Sequence, residues 1–390
     1  MTAKHGWPMV RLGDVTEIRS RLIQPEAIEG DTIYLGLEDL EKGGGIKSYP
    51  TALTSNIKSA KRVFGEEDIL FGRLRPNLQK VALPGLSGAC TTDILTIRPS
   101  KMIDRHYLYA YLLTPQVLDY TSTRTTGINL PRISAAQLLE LTVPLPPLDE
   151  QRRIAGILDR SSLAQQAVLR SIGKMRGLSS RIAEETIRAH AVTPTPLGEL
   201  LTGIESGKSP RCEAFPAPED EWGVLKLSAV TSGNFLASEN KLLVDPPHDA
   251  PRREVKSGDI LMTRKNTPEL VGAVCIVDAI RPRLLFPDLV FRLALDETRL
   301  VSSFFQAVMM SDHFRDNVRA LASGSAKSMS NISQAKLRTL KFPLPSMSVQ
   351  QAFDDSIQII KRQHSTLELR RKLLAELNYS LQTRAFQGAL

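Results

Sequence analysis

Two clusters of guanidinium, ammonium and amide side chains stand in matching places along this chain. The first, Arg73, Arg75, Asn77 and Lys80, directly follows Asp68-Ile69-Leu70-Phe71; the second, Arg264, Lys265 and Asn266, follows Asp259-Ile260-Leu261-Met262. Arginine offers a planar fork of donors and asparagine a donor beside an acceptor, the groups that address base edges and phosphate oxygens. A loop leaving a rigid strand presents such groups outward. Each half of the chain adds a second polar loop: Arg124, Thr125, Thr126, Asn129 and Arg132 in one, Ser325, Lys327, Ser328 and Asn331 in the other. For any single arginine a surface pair with a carboxylate is the ordinary role. Matching clusters point instead to contacts with duplex DNA, and Lys58, Lys61 and Arg62 add candidate phosphate contacts.

Other chemistries find less support. Asp245-Pro246-Pro247-His248 is close to the Asp-Pro-Pro-aromatic loop of amino-methylating enzymes, yet histidine replaces the aromatic residue and no glycine-rich strand-turn-helix segment is evident to hold S-adenosylmethionine. There is no Gly-x-x-x-x-Gly-Lys-Ser/Thr loop, and His5, His106, His190, His248, His313 and His364 lack metal-ligand spacing. Cys90, Cys212 and Cys275 are isolated, so neither a disulfide framework nor a zinc site is indicated. No segment has the apolar length to cross a bilayer, and the first residues lack the apolar centre of a signal peptide, which makes the cytoplasm the expected location.

The elements that position these groups are written twice. Leu12-Gly13-Asp14 is echoed by Leu197-Gly198-Glu199, Asp93-Ile94-Leu95 by Asp288-Leu289-Val290, and Pro144-Leu145-Pro146 by Pro343-Leu344-Pro345, with Gln151 and Gln350 at equal distance beyond. The offset drifts from 185 to 199 across these anchors, as it does when loops change length on a retained framework. Each copy opens with short strand-like runs and one helical stretch, Ile103 to Tyr120 or Leu300 to Leu321, and reads as an α+β globule. After the extended Pro-Leu-Pro segment comes a long helical pattern, for which Asp149 and Ser348 are the expected N-caps.

One heptad register runs through both helical patterns. It carries Leu158, Val168, Ile172, Met175 and Ile182 in the first, Ile357, Ile360, Leu367, Leu374 and Leu381 in the second, with polar members such as Ser161, Gln165, His364 and Arg371 between them. A helix of about 40 residues is roughly 60 Å long, more than a compact globule needs, so the two helices are expected to be spacers that pair antiparallel. The resulting division is a first α+β globule at 1–147, a central spacer helix at 148–190, a second globule at 191–345 and a C-terminal spacer helix at 346–390. The overall charge of +8, with a pI of about 9.4, suits a polyanionic partner. The four segments contribute +2, +3, +1 and +2, so any positive surface must be made by folding rather than by a basic tail.

With these residues in view, the chain resembles the specificity subunits of type I restriction-modification enzymes along nearly its whole length. The resemblance is carried by Pro144-Leu145-Pro146-Pro147-Leu148-Asp149-Glu150-Gln151 with Ile154-Ala155-Gly156-Ile157-Leu158-Asp159, and by Leu377-Asn378-Tyr379-Ser380-Leu381-Gln382 through Gly388. It implies two tandem target-recognition domains, pseudo-twofold related, each reading half of a split double-stranded DNA site. It implies an antiparallel helix pair that docks methyltransferase subunits, and in some assemblies a restriction-translocase subunit. The chain itself would be non-catalytic, with S-adenosylmethionine held by the partner methyltransferase. Val349 in place of Glu150, and Ser346-Met347 in place of Pro147-Leu148, set the second copy apart at the helix start. The competing readings are a DNA adenine methyltransferase and a structural coiled-coil adaptor that binds no DNA.

Overall fold

The computed structural model describes residues 6–127, 129–175, 177–278, 280–322 and 329–390. They form two compact units: the first takes in the chain to Arg170 together with Leu369–Leu390, the second Ser171–Glu368. Both are α+β and built alike. In the first, a four-stranded antiparallel sheet runs in the order Thr16–Arg19, Ile94–Pro99, Ile69–Gly72, Val81–Ala82. In the second the order is Leu201–Ser206, Val290–Leu295, Ile260–Thr263, Val274–Ile276. The strands Ile69–Gly72 and Ile260–Thr263 are buried along their full length, which explains their unbroken apolar runs.

The aspartate that opens each of these strands is structural. Asp68 is fully buried, accepting from the Gly65 backbone N–H at 2.6 Å and from Arg98 Nε at 2.5 Å. Asp259 accepts from Lys256 N at 2.9 Å and from Arg292 at 3.1 Å. The proline-rich segments form two-stranded ladders, Met9–Arg11 with Thr142–Pro144 and Thr193–Pro196 with Lys341–Leu344, where a residue without an N–H is tolerated because each strand keeps a free edge.

Three details depart from the sequence reading. The single helical stretch expected in each copy is two helices, Arg105–Leu112 and Pro115–Thr123 in the first unit, Ser302–Met309 and Asp312–Ala320 in the second. Thr114 accepts from Val117 N and Pro115 stands at the first helical position, so a new helix starts where the pattern seemed continuous. The long helices begin at Leu148 and Met347, one residue ahead of the expected caps, because the carbonyls of Pro147 and Ser346 already accept from Gln151 N and Gln350 N. Asp149 therefore sits in the first turn, where its charge favours the helix N-terminus. Finally, the central helix ends at Met175 and a second, Leu178–Ala189, follows Gly177, whose φ of 68° belongs to the left-handed region.

The C-terminal helix is continuous over 39 residues, Met347–Ala385. Within the first unit its end packs against the start of the central helix: Ile154, Ala155 and Leu158 share a core with Ala385 and Phe386, and Gln165 Nε2 donates to Leu374 O at 2.9 Å. Within the second unit its start shares a core with the later helix, through Phe353 and Ile357 with Ala183, flanked by Ile182, Ile187 and Ile360. In both places low numbers on one helix meet high numbers on the other, so the helices pair antiparallel. The heptad positions Leu158, Val168, Ile172 and Ile357 are buried, and Met175, Ile182, Ile360, Leu367, Leu374 and Leu381 are half-buried.

Candidate nucleic-acid interface

In each unit the buried central strand ends beside a second polar stretch, 131–133 in the first and 330–332 in the second. In the first, Arg73 N donates to Asp93 O at 2.9 Å and Arg73 O accepts from Ile133 N at 3.1 Å. Leu74 forms an antiparallel bridge with Arg132, and Arg75 N donates to Pro131 O at 2.8 Å. The second unit repeats the arrangement: Arg264 N donates to Leu289 O and Arg264 O accepts from Ile332 N, both at 2.9 Å. There the strands Lys265–Asn266 and Ser330–Asn331 pair antiparallel, with Lys265 opposite Asn331. Side chains more than fifty residues apart in sequence are thus gathered at one strand end, twice.

The gathered groups differ in how far the protein already uses them. Arg132 grips Asp93 with two bonds, Nε at 2.8 Å and Nη2 at 3.2 Å, and the carboxylate raises the guanidinium above the ordinary arginine range. Lys265 Nζ lies 3.7 Å from Asp288, a carboxylate that also accepts from the Ser209 hydroxyl. Lys80 Nζ donates to Leu37 O, and the Arg124 guanidinium lies 4.0 Å over the Tyr120 ring. Asn266 is buried and holds Thr267 N through Oδ1 at 2.8 Å. Asn331 is half-buried in its strand; Arg75, Asn77 and Asn129 are exposed; Lys327, with Ser325 and Ser328, lies outside the described residues. Lys61 is buried against Ser59, and Arg62 donates to Arg19 O, so neither stands as a free phosphate contact.

Arg73 and Arg264 stand apart. Both are half-buried with the Nε atom covered by protein and without a partner, and neither makes an ion pair or side-chain hydrogen bond among the described residues. The Arg264 guanidinium lies 5.0 Å over the Phe291 ring. The partner carboxylates Asp93 and Asp288 were visible in the sequence as anchors of the repeat. Their part in tying down Arg132 and Lys265 depends on strand pairing that no local pattern announces.

Comparison with known proteins bears on the frame that carries these clusters. Residues 4–167 match the family model described as the type I restriction modification DNA specificity domain. The EcoEI and EcoDI specificity subunits of Escherichia coli are 36% identical over 155 residues and 30% identical over 189. The MjaVIII specificity subunit of Methanocaldococcus jannaschii is 24% identical over 404 residues, spanning 95% of this chain and 91% of that protein. Residues 4–167 thus resemble a type I restriction modification DNA specificity domain, and the whole chain is similar in sequence to the MjaVIII specificity subunit. The two E. coli subunits are matched over 26% and 42% of their own lengths. A chain solved in work on complex assembly and conformational transition of a type I restriction-modification system shares the fold, with a TM-score of 0.62, complete coverage of both chains and 17% identity.

The specificity-family signature Pro-Leu-Pro…Gln has a physical reason in this chain. The buried Gln151 side chain accepts from Asp104 N at 2.7 Å and donates to Met102 O at 3.1 Å and Pro146 O at 2.8 Å. Gln350 does the same with Val301 N at 2.9 Å and with Arg299 O and Pro345 O at 3.1 Å. Each glutamine ties the first turn of a long helix to its globule through all three of the bonds its amide makes here, so the residue marks a joint rather than a reactive site. Asp245 and Pro247, from the methylase-like tetrapeptide, line a cleft of about 970 Å³ whose cations Lys208, Arg252 and Arg253 face Glu205, Asp249 and Asp288.

Proposed function

We propose that this chain reads a split duplex DNA site for a type I restriction-modification complex, one strand-end cluster per half-site, while separate subunits carry out the chemistry. The observation that carries the reading is the duplication itself. In both units corresponding stretches, 131–133 and 330–332, are brought to the same strand end, with an arginine held by backbone bonds on either side. A gene duplication kept for stability alone has no reason to retain an unpaired, half-buried arginine at that position.

The partners in this reading are methyltransferase subunits and, in a restricting assembly, a translocase subunit, docked on the spacer helices. Support comes from the exposed Leu369, Leu373 and Leu377, which recur every four residues and so lie along one side of the C-terminal helix. Apolar side chains in such a row are what a partner helix packs against. S-adenosylmethionine belongs to the methyltransferase, and the helices set the unread gap between the half-sites. The domain divisions 1–147, 148–190, 191–345 and 346–390 are retained as the functional partition. The cytoplasm, where its DNA lies, is the proposed compartment; among the described residues no helix is long and apolar enough to cross a membrane.

The test is duplex binding by the full chain with its methyltransferase partner across a salt series. Binding that selects a split sequence and weakens steeply with salt supports the reading. Absence of duplex binding favours a coiled-coil adaptor, and S-adenosylmethionine binding by the chain alone favours an enzyme.

A further inference from the structure

We infer that Arg73 and Arg264 each read a guanine, so that both halves of the target carry a G·C pair at the corresponding place. The inference rests on the DNA-reading function proposed above and adds the identity of the base. Both arginines leave the same buried strand with the backbone held on each side: Asp93 O and Ile133 N for Arg73, Leu289 O and Ile332 N for Arg264. In both, Nε is covered and unpartnered, and the terminal nitrogens make no hydrogen bond or ion pair among the described residues. The terminal pair of nitrogens is therefore what the side chain has left to offer. Two parallel N–H donors on a planar group fit the O6 and N7 acceptors that guanine presents together in the major groove, an edge on which adenine offers one acceptor and one donor. The Phe291 ring, 5.0 Å from the Arg264 guanidinium, restrains that fork, and a restrained fork suits a base edge, whereas a phosphate accepts a cation from many directions.

Neighbouring cations sharpen the assignment. Arg132 and Lys265 are occupied by Asp93 and Asp288, and Arg124 by Tyr120, while Arg75 is exposed on its loop. Exposed cations such as Arg75 suit phosphate contacts; the two half-buried arginines whose backbones are held on both sides are the ones placed to discriminate.

The experiment selects binding sites from a fully randomised duplex library, using the full chain with its methyltransferase partner, for the wild type, Arg73→Lys and Arg264→Lys. The wild type should enrich a split sequence with guanine at one fixed position in each half. Each lysine variant should lose the guanine preference in one half only, by about ten- to a hundredfold, since lysine keeps the charge but not the fork. As a check that needs no variant, placing 7-deazaguanine at either enriched position should weaken wild-type binding severalfold. Variants that weaken all sequences alike, or that retain the guanine preference, would overturn the inference in favour of phosphate contact, as would full wild-type binding to the 7-deazaguanine duplexes. A wild type that enriches a split sequence lacking these guanines overturns the inference alone. A wild type that enriches no sequence overturns the DNA-reading function with it.

Discussion

The two units agree most closely where helix meets globule and least where the loops meet solvent. Gln151 and Gln350 make the same three hydrogen bonds to corresponding backbone groups, with every distance between 2.7 and 3.1 Å. At the strand ends one cation is retained and its neighbours are exchanged. In the first unit Asp93 is held by Arg132 from the second loop; in the second, Asp288 is held by Lys265 from the first loop. The buried aspartates show an intermediate degree of change. Asp68 is paired by Arg98 and Asp259 by Arg292, cations delivered from different rungs of the neighbouring strand. A joint buried in the protein tolerates no substitution of partners, whereas a surface pair can be rebuilt from either side because it contributes little to stability.

The largest test of this likeness lies in the aromatic anchors of the C-terminal helix. Phe386 packs 5.2 Å from Tyr107 and 5.0 Å from Tyr111 in the first unit, and Phe353 lies 5.2 Å from Phe304 in the second. Phe386→Ala and Phe353→Ala should each cost about 3 to 5 kcal/mol in denaturant unfolding. If the units unfold separately, each variant should move only its own transition. Next come Gln151→Ala and Gln350→Ala, each expected to cost about 2 to 3 kcal/mol because an N–H and two carbonyls lose their partner. Clearly unequal values would contradict the equivalence of the joints.

Asp68→Asn and Asp259→Asn should be smaller and unequal, about 2 kcal/mol for the fully buried Asp68 and about 1 kcal/mol for the more exposed Asp259. Arg132→Ala and Lys265→Ala should change stability by less than about 1 kcal/mol, as expected of exposed pairs. Thiol labelling separates the cysteines without altering the protein. Burial pushes Cys90 and Cys275 up to about 12, so at pH 8 both remain neutral and shielded, while Cys212 is raised by burial but half-exposed. Only Cys212 should react in the native protein, the other two reacting on unfolding.

Much of this architecture was legible in the residues because duplication repeats a pattern and heptads repeat it again. The break at Gly177 was not, since the register steps from Met175 to Ile182 at the usual interval and hides the interruption. Thr114-Pro115 divides the preceding helical stretch with a cap that apolar periodicity does not register. For the candidate interface, sequence could gather the basic residues but not rank them. Whether an arginine is occupied depends on a carboxylate tens of residues away, and only strand pairing brought Asp93 to Arg132 while leaving Arg73 without a counter-ion.

The glutamine joints have a mechanical corollary. Because each amide grips two stretches of backbone at once, 102–104 with 146 in one unit and 299–301 with 345 in the other, its helix cannot turn about its own axis without releasing every grip together. The rod is keyed to its head as a notched shaft is keyed to a gear, and the strand-end loops can drift in sequence while the angle at which they are presented stays the same.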